Sequence, residues 1–305
     1  MVEVSELQLE DRGGLRVLLL LLTTILIPLS SHGGEPLKVV VLDTGLKKND
    51  KYELPLCNDW HYDATALLPA KTSTPPEDEH GHGTHVASVI YQVAEGAILG
   101  YPGLTPVDQK RLARLRSPGA KEYCFVIVKY YTARGDSSGY VKAIKHIEKI
   151  PGPKIVNISG GGQEKIQREL TFISVMHRQH ARVIAAAGNE RTDLSKPGAA
   201  FYPASATGVT MVGAFEMTLQ KRQSEKDLLH SALVDGHVVY AYRLEQSNYG
   251  AKKMLWRPGV LYGGGLHNDI VTMRGTSQAA AYQTGMAIRE YLEQRRREDE
   301  FRKNP

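Results

Sequence analysis

The chain has 305 residues, 42% of them hydrophobic and 23% charged, with a formal net charge of +5. That is the balance of a globular protein with a real core, and there is no low-complexity tract. Lysine and arginine are spread along the chain. The one cluster, Arg295 to Arg297, alternates with Glu293, Glu298, Asp299 and Glu300 and reads as a solvated helix face, which argues against a nucleic-acid partner.

In chain order, the first feature is an apolar run over residues 15–29, LRVLLLLLTTILIPL. It is shorter than the ~20 residues of a bilayer span and carries Arg12 and Arg16 at its start, so it suits a secretory signal. Glu3, Glu6, Glu10 and Asp11 make the preceding segment acidic, which keeps a signal anchor in contention. A buried helix is the third reading. The expectation is a signal peptide or membrane anchor over 1–33, a single domain over 34–305, and a monomer that is exported or tethered to a membrane.

From Leu37 the chain alternates strand-like and helix-like segments. LKVVVLDTG is a continuous apolar run ended by a turn, as for a central parallel strand, and CFVIVKYY, KIVNISGG, ARVIAAAG and GVTMVGAF read alike. Helical patterns cover His85 to Val93, Tyr140 to Ile150 and Gln163 to Gln179, and a long helix ends the chain from about Tyr282 to Arg302. Such alternation predicts βαβ units and a mostly parallel sheet. Thr72 to Glu79 reads as a surface loop, and Glu216 to Gln246 as a hairpin and loop excursion from the core. Cys57 and Cys124 lack metal-ligand spacing. Cys124 lies in the buried-strand pattern YCFVIV, so two unpaired thiols are expected, a disulfide being the alternative for an exported chain.

Four polar residues stand where chemistry is done. Asp43 ends a buried strand, where a carboxylate needs a partner, although a capping Asp at a strand–turn junction is equally common. His82 lies in HGHGTHVA at a helix start, and the H-x-H-x-x-H spacing of His80, His82 and His85 also allows a metal site. Ser277 lies in RGTSQAAA, where a helix start offers free N–H groups to an oxyanion; an ordinary N-cap serine is the plainer alternative. Asn189 ends a strand, as an amide donor or as a turn residue. Together, a carboxylate, an imidazole and a hydroxyl are what nucleophilic acyl transfer requires.

These motifs, in this order, resemble the subtilisin-like serine peptidases, the subtilases. VLDTG, GHGTHVA, NISGGG, AAAGNE, YPA, SNYG, PGV and GTSQAAA carry the resemblance, over most of Leu37 to Ile288. It implies a three-layer α/β/α fold with a mostly parallel central sheet, and endopeptidase activity on polypeptide substrates. It implies Ser277 as nucleophile, His82 as general base, Asp43 as the residue that holds the imidazole, and Asn189 as oxyanion donor. His85 becomes a structural partner and the metal reading recedes. Ser159, Gly160 and Gly161 would lie beside the substrate backbone as an edge strand. Four departures qualify the picture. Ala281 stands where members commonly carry Pro. Gly160 stands where they carry Leu, which should remove a side chain from the specificity pocket. No calcium loop is recognisable after His85, so no cofactor is expected, calcium included. Few residues separate Leu29 from Leu37, leaving no room there for a folding prodomain. A catalytically silent binding module of the same fold is the alternative.

Overall fold

The computed structural model describes residues 35–116, 122–234 and 236–303, so the expected signal or anchor segment lies outside it. Strand β1 (Leu37–Asp43) is buried at every position, as its unbroken apolar run requires. It pairs in parallel with β4 (Tyr123–Lys129) on one side and β5 (Lys154–Ile158) on the other. Beyond β5 follow β6 (Arg182–Ala186) and β7 (Val209–Thr218), also parallel. Beyond β4 lies the short β2 (His61–Asp63), edged by β3 (Lys71–Thr72).

Successive side chains of β1 point to opposite faces and feed two separate cores. Val39 and Val41 pack with α1 (His82–Ala94) and the alanine-rich start of α5 (Thr276–Lys303). Val40 and Leu42 pack with α3 (Tyr140–Ile147) and α4 (Gln167–Arg178). This is the expected three-layer α/β/α architecture with a mostly parallel sheet. The chain visits β4 on one side of β1 before crossing to β5 on the other, so the sheet reverses its winding at β1. Crevices at the carboxyl ends of strands form at such a switch point, and Asp43, Ser159 and Asn189 all lie there.

Three expectations are corrected. The 216–246 segment contains the expected hairpin, but the hairpin belongs to the main sheet and is no excursion from it. Strands β8 (Leu228–Val234) and β9 (His237–Arg243) extend the main sheet, with β9 running antiparallel to Phe215–Thr218. The ten-residue β7 outruns β6, and its free edge takes β9 as a partner. The two cysteines are joined as Cys57–Cys124. The loop before β2 runs beside β4, with Cys57 N–H donating to the Phe125 carbonyl at 3.0 Å and Phe125 N–H to the Pro55 carbonyl at 2.8 Å. That leaves the two Cα atoms 5.0 Å apart, within disulfide reach. Finally, the 72–79 loop is not wholly a surface feature, because Asp78 is buried within it.

Helix α2 (Gln109–Leu115), a strand β10 (Leu255–Pro258) beside β7, and the antiparallel pair β11 (Val260–Gly264) and β12 (Ile270–Arg274) complete the described elements. No described helix is long and apolar enough to cross a membrane.

Candidate active site

Asp43 closes β1 and is 3% exposed. Its Oδ1 accepts the Thr44 N–H at 2.8 Å and lies 2.8 Å from Nδ1 of His82. An imidazole facing a carboxylate donates from that nitrogen, so Nδ1 carries the proton and Nε2 keeps its lone pair. Burial alone would lower the His82 pKa. The charge and hydrogen bond of Asp43, with a smaller contribution from Asp78, outweigh it and hold the pKa above the ordinary 6.5. The pair is close because α1 starts hard against the turn after β1. A Cβ on Gly83 would stand 2.5 Å from the Gly45 carbonyl oxygen, so only glycine permits this approach.

The start of α1 has no cap of its own, since Gly81 at its N-cap has no side chain. Asp78 supplies one from the preceding loop. Its Oδ1 accepts the N–H groups of His80 at 2.9 Å and Gly81 at 2.8 Å, and the Thr44 hydroxyl at 2.9 Å. Its Oδ2 accepts the Thr84 N–H at 2.9 Å and hydroxyl at 2.7 Å. The Thr44 hydroxyl in turn accepts the Gly83 N–H at 2.9 Å. One carboxylate thereby ties the strand end that carries Asp43 to the helix start that carries His82. Reading residues 72–79 as a surface loop overlooks this. The available signal was an acid shortly before a glycine turn and a helix, the usual place of a capping side chain.

The neighbouring histidines turn elsewhere. The His85 Nε2 faces the Leu261 carbonyl at 3.2 Å. Burial, with the nearby His82, depresses its pKa to about 4, so it stays neutral. The His80 ring lies edge-on to His82 with centroids 6.1 Å apart. Among the described residues, no three metal-ligating side chains converge.

Ser277 stands in the first turn of α5, where backbone N–H groups have no intrahelical acceptor. Its hydroxyl donates to the Ser159 carbonyl at 3.0 Å. Asn189 sits across from this helix start. Its Oδ1 accepts the Thr276 N–H at 2.9 Å and the Thr276 hydroxyl at 3.2 Å. With the oxygen so engaged, the amide is oriented and its NH₂ is left to donate elsewhere. The loop carrying Asn189 is braced by the buried Asn248, to which sequence reading assigns no role. Asn248 accepts the N–H groups of Glu190 at 3.1 Å and Thr192 at 2.8 Å, and donates to the Ala187 carbonyl at 2.8 Å.

A cleft of about 640 Å³ opens beside Asp43 and His82 and runs along Ser159, Gly160 and Gly161. At Gly160, expected to remove a side chain from the pocket wall, a neighbour takes up the space. A Cβ at that position would lie 2.1 Å from the Tyr130 hydroxyl oxygen, so the tyrosine already fills the space.

The profile of the subtilase family matches residues 34–291. A search of curated protein sequences finds no match. Among solved structures, a cold-adapted subtilisin-like serine proteinase is similar at a TM-score of 0.57 and 20% identity, over 86% of this chain and 77% of that one. A psychrophilic protease, S41, gives a TM-score of 0.57 and 22% identity, over 86% and 79%. Sphericase gives a TM-score of 0.56 and 19% identity, over 86% and 78%. At such identities the likeness speaks for the fold, and the profile, which spans most of the sequence, speaks for descent: the chain belongs to the subtilase family.

Proposed function

We propose that the chain is a serine endopeptidase that hydrolyses peptide bonds through an acyl-enzyme on Ser277. The observation that carries this reading is the 2.8 Å contact between Asp43 and His82 Nδ1, which leaves Nε2 as a free base beside the cleft. On this reading, rotation of the Ser277 side chain exchanges the Ser159 carbonyl for Nε2 as the acceptor of its proton. Oγ then attacks the scissile carbonyl, and His82 passes the proton to the leaving amine. The Asn189 NH₂ and the first-turn N–H groups of α5 stabilise the oxyanion. Water attacks the acyl-enzyme with His82 again as base, releasing the second product and restoring Ser277. The chemistry uses side chains and backbone amides alone. Residues 159–161 pair with the substrate backbone. We further propose export, supported by the Cys57–Cys124 disulfide, because such bonds persist in oxidising compartments.

A fluorophosphonate probe is expected to label Ser277 stoichiometrically, and purified protein to cleave unfolded polypeptides. Absence of labelling on folded protein would instead favour the silent binding module. The base must be neutral to act, so kcat/KM should rise with pH, with the midpoint of its acid limb above 6.5. In Asp43→Asn the carboxylate is gone while burial remains, and the midpoint should move down; an unmoved midpoint would dissociate Asp43 from the titration. By linkage, the raised His82 pKa contributes stability that is full below 6.5 and lost as pH climbs through the folded-state value. Asn189→Ala is expected to lower kcat by about 10²–10³ with little change in KM, the loss known for the corresponding donor of subtilisin. Steady-state kinetics on one chromogenic peptide would check the pH midpoints and the Asn189→Ala effect.

A further inference from the structure

The cleft does not end at Gly161. Its lining also includes Glu164, Ile166, Tyr130, Tyr140 and Glu169, with the Tyr130 hydroxyl set against Gly160. Glu169 is 2% exposed, which is unusual for an acid. One oxygen, Oε1, accepts the Tyr140 hydroxyl. The other, Oε2, is buried and has no hydrogen-bond partner among the described residues. A buried carboxylate oxygen without a donor is costly, and such a group calls for a partner that arrives from outside.

The surroundings indicate the charge of that partner. Of the side chains lining the cleft, Asp43, Glu164 and Glu169 are acids, His80 and His82 are imidazoles, and none is lysine or arginine. Tyr130 and Tyr140 pack edge to face with ring centroids 5.3 Å apart. Aromatic rings beside a carboxylate suit a cation, which gains from both. The nearest arginine in sequence, Arg168, is committed to Glu148, its Nη1 donating at 2.7 Å. Burial pushes the Glu169 carboxyl above its ordinary range, and the hydrogen bond from Tyr140 offsets only part of this.

We propose that Glu169, with Tyr130 and Tyr140, forms a recognition site for a lysine or arginine side chain of the substrate, set back from the scissile bond. This rests on the proteolytic reading of Ser277 and on substrate pairing along residues 159–161. Ser277 and Ser159 are in contact, and an extended chain advances roughly 3.3 Å per residue. On this pairing, a cationic side chain roughly three or four residues from the cleaved bond would reach Tyr130, Tyr140 and Glu169. Glu169 selects the substrate and takes no part in bond breaking.

The test is a positional scan of fluorogenic peptides in which one residue at a time is lysine, arginine or the neutral isosteres norleucine and citrulline. Wild-type kcat/KM should favour the cationic peptide by about 10- to 100-fold at a position three or four residues from the cleavage site. The ratio should collapse toward one in Glu169→Gln and fall below one in Glu169→Lys. Should these variants fail to fold, the lysine-to-norleucine ratio of the wild type decides alone. Cleavage with no charge preference, or with preference only at the residues flanking the cleaved bond, overturns the proposal while leaving the proteolytic reading intact. If no peptide is cleaved, binding of the same peptides to Ser277→Ala, followed by fluorescence anisotropy, separates the two ideas. Tighter binding of the cationic peptides upholds the recognition site without proteolysis, and equal binding overturns it.

Discussion

Ser277→Ala is expected to abolish fluorophosphonate labelling and to lower kcat on the order of 10⁶-fold, the size of loss known for the nucleophile of subtilisin. On the proposed mechanism no acyl-enzyme forms without Oγ, and the residual rate would reflect only substrate binding and oxyanion stabilisation. The fold should hardly notice. The hydroxyl's recorded hydrogen bond is the one to the Ser159 carbonyl, and a single neutral hydrogen bond contributes about 1 kcal/mol. Activity against a chromogenic peptide and the midpoint of urea unfolding would be measured on the same preparation. Full activity in the variant would refute the acyl-enzyme at Ser277, whereas a large loss of stability would mean that the activity loss says nothing about mechanism.

Asp78→Ala is expected to have the largest effect on stability among the residues around the cleft, about 3–5 kcal/mol. The substitution leaves the N–H groups of His80, Gly81 and Thr84 and the hydroxyls of Thr44 and Thr84 without their acceptor. Activity should also fall, by about 10²-fold, because the start of α1 would no longer be held against the end of β1 and His82 would drift from Asp43. Asp78→Asn should be milder. Its amide oxygen can replace one carboxylate oxygen, but its NH₂ would confront donors at the other. The carboxylate also leaves a pH signature. Burial pulls its pKa up, yet the donors of Thr84, Gly81 and His80 outweigh this and hold it below the ordinary 3.8. Its contribution to stability is therefore present above pH 3.8 and lost as pH falls through the depressed value. Urea denaturation of wild type and variant between neutral and acid pH would check both claims. A variant as stable as wild type would show that the network is not needed.

Much of the fold is legible in short windows. The apolar run ending in Asp43 reads as a central strand because both its faces are covered by helices, and it is one. The alanines after Ser277 read as a helix start against the sheet, and α5 begins one residue earlier, at Thr276. The 216–246 segment misleads because its alternating pattern suits either a free hairpin or a sheet extension. Only the length of β7 beyond β6 decides between them. The cysteines mislead for a similar reason. YCFVIV describes a buried strand well, but it carries no information about which loop lies beside that strand. At Gly160 the local residue suggests an open wall, whereas a hydroxyl from Tyr130, thirty positions earlier, occupies it.

What the sequence by itself determined is the order of the principal strands and helices, the layered α/β class and the family, together with the strand ends and helix starts where Asp43, His82, Asn189 and Ser277 stand. These are properties of local backbone preference and hydrophobic pattern, which act over a few residues and so survive in a linear reading. Only the tertiary structure decided which side chains meet. The Asp43–His82 contact spans 39 residues, the Cys57–Cys124 bond 67, and the Thr276–Asn189 bond 87. It also decided that Asp78 is buried among five donors and that Glu169 lines the same cleft as His82. Such pairings are chosen by the packing of whole elements against the sheet. Burial then gives each polar contact its energetic weight, by making every unpaired donor, acceptor or charge expensive.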